Sequence, residues 1–193
     1  MSILGNIFAG GNTYPRGRTL WERFGLWIGR RLALRHGNVA IACSAQIAPD
    51  ARVNPRGGRI EIGERSLLAS GAMVQGEVSI GNDSSVQNYT IIVGTPGGGP
   101  IRIGNGVRIA AHTMIVAANH VFADPMLPIH KQGTLPEPIT IEDDVWIGGN
   151  VFITAGVVIG TGSVIGAGSV VTRSIPPRSI AVGAPAKVIR RRP

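Results

Sequence analysis

Aromatic residues are scarce in this chain, only 5% of 193 residues. There is one cysteine, Cys43, which excludes an internal disulfide and belongs to no metal-ligand pair; it reads as a small buried apolar residue in a protein of a reducing compartment. No apolar run reaches the roughly 20 residues that a membrane-spanning helix needs. The opening MSILGNIFAGGNTYP has no basic segment leading into an apolar one, so it does not read as a secretory signal. The expectation is a cytoplasmic protein, at the inner face of the membrane if it meets one. Acidic residues number 11 against 19 basic ones, a formal net charge of +8, which leaves phosphates, nucleic acid and anionic lipid open as partners. Without the aromatic and basic motif of a known module, nucleic acid is not expected.

Glycine, at 28 residues, and proline, at 13, are plentiful, which argues against a helical bundle and for a chain with many tight corners. Aliphatic residues then set a rhythm. Ile141, Ile147, Ile153, Ile159, Ile165 and Val171 fall six apart, as do Ile62, Leu68, Val74, Ile80, Val86 and Ile92. Shorter ladders run Ile103, Ile109, Ile115, Val121 and Ile41, Ile47, Val53. Four places after many of these stand compact residues such as Ser66, Ala72, Ser84, Thr90, Val151 and Ser163. Period six fits neither a helix, at 3.6, nor a half-buried strand, at two. It fits a short strand and a corner repeated around a prism, each coil burying its apolar side only by stacking on the next. The sets IGND, IGNG, IGTG and IGAG supply residues suited to such corners. The fold class is mainly β: a parallel β-helix over 41–175.

Two segments break the rhythm. The third ladder halts at Val121 and the next resumes at Ile141, leaving HVFADPMLPIHKQGTLPEP without a period; its loop spans 122–138, and loops of this length are usually functional or disordered. Residues 1–40 lie before the repeat. In TLWERFGLWIGRRLALRHG, Leu20, Phe24, Trp27, Ile28 and Leu32 stand near helical spacing, with Arg23, Arg30, Arg31 and Arg35 between them. Such a helix suits the open end of a β-helix as a lid, and a basic helix with two tryptophans also suits peripheral contact with an anionic membrane through residues 19–36. Residues 176–193 read as a C-terminal basic tail.

The run ITIEDDVWIGGNVFITAGVVIGTGSVIGAGSVVTRSIPPRSIAVGAPAKVIR, Ile139 to Arg190, resembles the hexapeptide-repeat acyltransferases, especially sugar O-acetyltransferases of the maltose and galactoside type. The resemblance implies a left-handed β-helix, a homotrimer with sites between subunits, and acetyl-CoA as co-substrate. It implies a loop at 122–138 that walls the acceptor pocket and a catalytic histidine at its base, which His120 matches. A sugar hydroxyl is a poor nucleophile at neutral pH, and histidine, with an unperturbed pKa of ~6.5, suits the base that attack on a thioester requires. No nucleophile motif calls for a covalent acyl-enzyme. Asn88, in SVQNYT, matches an asparagine that binds acceptor or oxyanion; a corner asparagine is the alternative. His130 is a candidate acceptor contact within the loop. The insertion TPGGGP, Thr95 to Pro100, occupies the place of the family's usual acceptor-binding acid.

For the donor, Trp146 matches a tryptophan beside the pantetheine arm. Gly149 stands where relatives carry a serine near the thioester. Ala167 and Thr172 match backbone contacts to pantetheine, and Arg173, Lys187 and Arg190 match cations that attract CoA phosphates. The function implied is O-acetylation of a sugar hydroxyl in surface polysaccharide or glycan synthesis; the alternative is N-acetylation of a nucleotide-linked amino sugar. A zinc carbonic anhydrase of the same fold needs a closely spaced histidine pair that His112, His120 and His130 do not supply, so no metal is expected. A purely structural β-helix would need neither the excursion nor the basic terminus.

Overall fold

A computed structural model describes residues 19–193. The chain winds as a left-handed β-helix with three parallel sheets as its faces. Each face stacks six parallel strands: the first runs from Val39–Ile41 to Val158–Ile159, the second from Gln46–Ile47 to Val164–Ile165, the third from Arg52–Asn54 to Val170–Val171. The expected ladders are its core. Ile41, Ile62, Ile80, Ile103, Ile141 and Ile159 stack in register on the first face, and Ile47 to Ile165 and Val53 to Val171 do so on the other two. Cys43, expected to be buried, is exposed just after the first strand. One ladder member is also corrected. Val121 is only half-buried and outside the coil; the third ladder ends at Ile115, because the chain leaves the prism directly after the buried Ala117.

The compact residues between the ladder positions are buried at the corners, where their hydroxyls join neighbouring coils. Ser84 Oγ donates to the Gly104 carbonyl at 2.8 Å and accepts from Val107 N–H at 3.0 Å; Thr113 Oγ1 donates to the Gly148 carbonyl at 3.0 Å. A side chain one atom longer would not fit, and an alanine would leave a buried carbonyl without its donor. The corner between first and second faces is tied from coil to coil by side-chain oxygens: Asn82 Oδ1 accepts from Glu64 N–H, Asn105 Oδ1 from Asn82 N–H, and Asp143 Oδ1 from Asn105 N–H, at 2.7 to 2.8 Å. In the next coil Glu142 accepts from the Thr161 hydroxyl and N–H, which hold its carboxyl below the usual carboxylate range.

Passage from first to second face, or second to third, takes six residues in every coil. Every departure from an 18-residue coil lies on the remaining edge, between third and first faces. Coil one gains a turn at 55–58, coil three the segment Thr95–Gly99, closed by a two-residue bridge, and coil four the long excursion.

The first coil has no coil beneath it, and α1, Leu20–Ala33, lies across that open end. Thr19 and Glu22 form a capping box at its start. The Arg30 guanidinium donates to the carbonyls of Ile41 and Ala42 at 2.8 and 2.6 Å, satisfying acceptors that a preceding coil would have met. Gly25, Leu26, Gly29 and Ala33 are the buried residues, and a side chain at Gly29 would collide with the Ile47 and Ala48 carbonyls. The apolar residues expected to face the coil, Leu20, Phe24, Trp27 and Leu32, are instead exposed. Close backbone approach selects the glycine face.

At the other end, the residues read as a basic tail are a β-hairpin. Ser179–Val182 extends the second face in parallel with Val164–Ile165, and Lys187–Arg191 returns antiparallel on it.

Candidate active site

The excursion leaves after Ala117 and returns at Ile139, wider than the sequence boundaries of 122–138, and it is structured. Ala118–His120 pairs antiparallel with Thr134–Pro136, so His120 stands opposite Thr134 on a two-stranded stem. Beyond it lies the single-turn α2, Ile129–Gln132. Gln132 braces the tip, its amide donating to the carbonyls of Asp124 and Leu127 at 2.9 and 2.6 Å and its oxygen accepting from Asp124 N–H. Asp124 Oδ1 accepts from Met126 N–H at 2.8 Å, which occupies the carboxylate within its own turn. TPGGGP lies under the stem: a Cβ at Gly98 would stand 3.1 Å from Pro136 Cγ.

His120 is exposed, and its imidazole has no hydrogen-bond partner among the described residues. His130 is exposed on α2. Thr172 and Arg173 lie on the same edge at the last coil, also exposed. One residue of this edge escaped the sequence reading. Glu137 is half-buried, with its carboxylate oxygens 3.3 to 3.4 Å from where a Cβ on Gly156 would be; its N–H donates to the Ala117 carbonyl, while no described residue bonds its carboxylate. An acid directly before the ladder resumes was its only signal.

The other candidates line a different edge, between second and third faces. Asn88, Ala111, Gly149 and Ala167 occupy the same corner position in successive coils: the Asn88 carbonyl accepts from His112 N–H, the Ala111 carbonyl from Asn150 N–H and the Gly149 carbonyl from Gly168 N–H. Their own backbone N–H groups have no acceptor among the described residues. This column of donors contrasts with the opposite corner, where Asn and Asp side chains fill the equivalent groups. It was illegible in the sequence, since it depends on the coil register and not on residue type. Next to it, Tyr89 and His112 adopt left-handed φ of 57° and 60° and stack at 5.4 Å between centroids.

Trp146 projects from the second face, about half exposed, in one column with Arg108, Val164, Ile180 and Arg190. Lys187 pairs with Val182, beside the top of the donor column. Within one chain the structure therefore separates the candidates into two groups: His120, His130, Glu137, Thr172 and Arg173 on one edge; Asn88, Gly149, Ala167, Trp146, Lys187 and Arg190 on or beside the other. No cluster of His, Cys, Asp and Glu able to hold a metal occurs among the described residues.

A coil of three six-residue sides with a histidine-based excursion defines a hexapeptide-repeat β-helix, and the chain resembles the acyltransferases of that class. Residues 138–173 match the family described as bacterial transferase hexapeptide (six repeats). Over 136 residues, 69% of this chain, it is 36% identical to the "probable acetyltransferase" Rv3034c of Mycobacterium tuberculosis, and it spans 42% of that protein's length. Among solved structures it is similar to AntD, an N-acyltransferase from Bacillus cereus in complex with dTDP-4-amino-4,6-dideoxyglucose and coenzyme A: 27% identity, 80% of this chain and 84% of that one, TM-score 0.70. It is similar also to a maltose O-acetyltransferase from Clostridium difficile 630, at 27% identity over 99% of this chain and 84% of that one, TM-score 0.54.

Proposed function

We propose that this protein is a homotrimeric acetyl-CoA-dependent O-acetyltransferase acting on a sugar hydroxyl of a surface glycan, with His120 as general base. The observation that carries the reading is the pair of half-sites flanking one face. That third face is apolar on its outside: Met73, Ile91, Met114, Phe152 and Val170 form one continuous column in register. Such a column calls for further copies of the chain. If three copies direct this face to a threefold axis along the helix, the edge bearing His120 meets the neighbour's edge bearing the donor column. His120 leaves between the coils of Ala111 and Gly149, so it faces the middle of that column.

The chemistry then follows from the residues. Pantetheine carries amide carbonyls that free backbone N–H groups can bind, and Lys187, Arg190 and Arg173 suit the phosphates of the CoA nucleotide. His120 takes the proton of the acceptor hydroxyl as its oxygen bonds to the thioester carbon, the open N–H groups near Gly149 stabilise the oxyanion, and the C–S bond breaks as the imidazolium returns the proton to the thiolate. Glu137 lies three residues along the strand from the position opposite His120, roughly 10 Å at the rise of a strand. It is too far to orient the imidazole and well placed for other hydroxyls of the acceptor.

Likeness to AntD favours a second reading, N-acylation of a nucleotide-linked amino sugar. CoA release measured against maltose-type sugars and against nucleotide-linked amino sugars separates the two. Release with a hydroxyl acceptor, lost roughly a hundredfold to ten-thousandfold in His120→Ala, is the expected result; full activity of His120→Ala overturns it.

A further inference from the structure

α1 has two faces with different chemistry, and the end of the β-helix uses only one. Gly25, Leu26, Gly29 and Ala33 seat it on the first coil. The opposite arc is apolar: Leu20 is 79% exposed, Trp27 54%, Trp21 and Phe24 46% each. Phe24 and Trp27 stack at 5.8 Å, and the Arg31 guanidinium lies 5.4 Å from the Trp27 ring centroid. Arg23 and Arg35 flank the arc and are exposed, while Arg30 is turned inward onto the carbonyls of Ile41 and Ala42. Burial against its own β-helix therefore does not explain the aromatic residues, in a chain where aromatics make up 5% of the composition.

We infer that this outward arc docks on an anionic lipid bilayer. Arginines among and beside tryptophan, phenylalanine and leucine, with Arg31 in the same stripe as Leu20, Phe24 and Trp27, are complementary to a negatively charged interface, where aromatic rings sit at headgroup depth. At 14 residues α1 is about 21 Å long and too short to cross, so it lies in the interface plane. A second copy of the chain fits the arc less well. The apolar column of the third face starts at Met73, and its first-coil member is the exposed Arg52, so the arc does not continue that surface. α1 also lies at the end of the helix and not along its side. On the trimer reading above, on which this consequence rests, the three copies of α1 share one end and dock together. His120 then stands more than three coils, roughly 17 Å at the spacing of strands, above the first coil, with the roughly 10 Å thickness of α1 between that coil and the lipid, a height suited to the sugar portion of a lipid-linked acceptor.

The test is flotation of the full chain with vesicles of phosphatidylcholine and phosphatidylglycerol, against phosphatidylcholine alone. The three arginines predict roughly a hundredfold preference for the anionic vesicles, falling as salt is raised. A Phe24→Glu, Trp27→Glu variant should lose flotation while keeping CoA binding and molecular mass. Failure of the full chain to float, equal flotation of the variant, or a change of mass in the variant, which would mark the arc as a contact between copies, each overturns the inference. The Met114→Arg variant keeps the two proposals separable: a monomer that still floats, more weakly, supports docking whatever becomes of the trimer.

Discussion

At the scale of single residues, the most informative side chains are small. Ser66, Ser84, Thr113 and Ser163 are buried because each replaces a methyl's volume with a hydroxyl that meets a carbonyl of a neighbouring coil. The sequence displayed their spacing but not these bonds. It also singled out His120, whose unpartnered imidazole fits a group kept free for substrate, and it missed Glu137, because a lone acid beside prolines carries no motif. Glu142 makes a prediction in pH. Its folded carboxyl is held low by the Thr161 hydroxyl and N–H, so the stability it adds is present above its unfolded pKa of ~4.3 and is lost as pH falls through the lower folded value. Glu142→Gln should lower stability slightly at neutral pH, leave it nearly unchanged in strong acid, and so flatten the acid limb of the stability curve, as read by thermal unfolding from neutral pH down to strongly acidic buffer.

Among the elements, α1 and the excursion mark where sequence pattern and structure part. A helix was legible within Thr19 to Gly37, and it forms over Leu20–Ala33, yet its large apolar residues are not the ones that pack. Gly29 decides this, since only a residue without a side chain lets the helix backbone approach the Ile47 and Ala48 carbonyls. Gly29→Val should cost about 1–3 kcal/mol through overpacking and release α1 before the β-helix unfolds, a loss of helical signal preceding the main thermal transition. The excursion was legible as an interruption but not as a braced stem with a helical turn, because Gln132 and Asp124 act through local geometry that no periodicity reports. That every insertion falls on one edge becomes visible once the ladders are assigned to faces.

For the whole molecule, the β-helix was readable from period six, since the period of the core is the period of the sequence. The donor column was not, because it arises from backbone groups left open by stacking. In the proposed trimer, assembly links the two half-sites. Met114→Arg places a charge in the apolar column and should convert the trimer to monomers by light scattering, with a fall in CoA release to near background although the coil, whose core it does not touch, stays folded. In the proposed trimer, His120 of one subunit works on a thioester held by its neighbour. Mixing two inactive variants, His120→Ala and Gly149→Trp, under conditions that exchange subunits tests this through CoA release. The expected result is recovery to about a quarter of the wild-type rate, the share of boundaries at which an equal random mixture places intact His120 beside intact Gly149. No recovery from variants that demonstrably exchange would contradict a site shared between subunits.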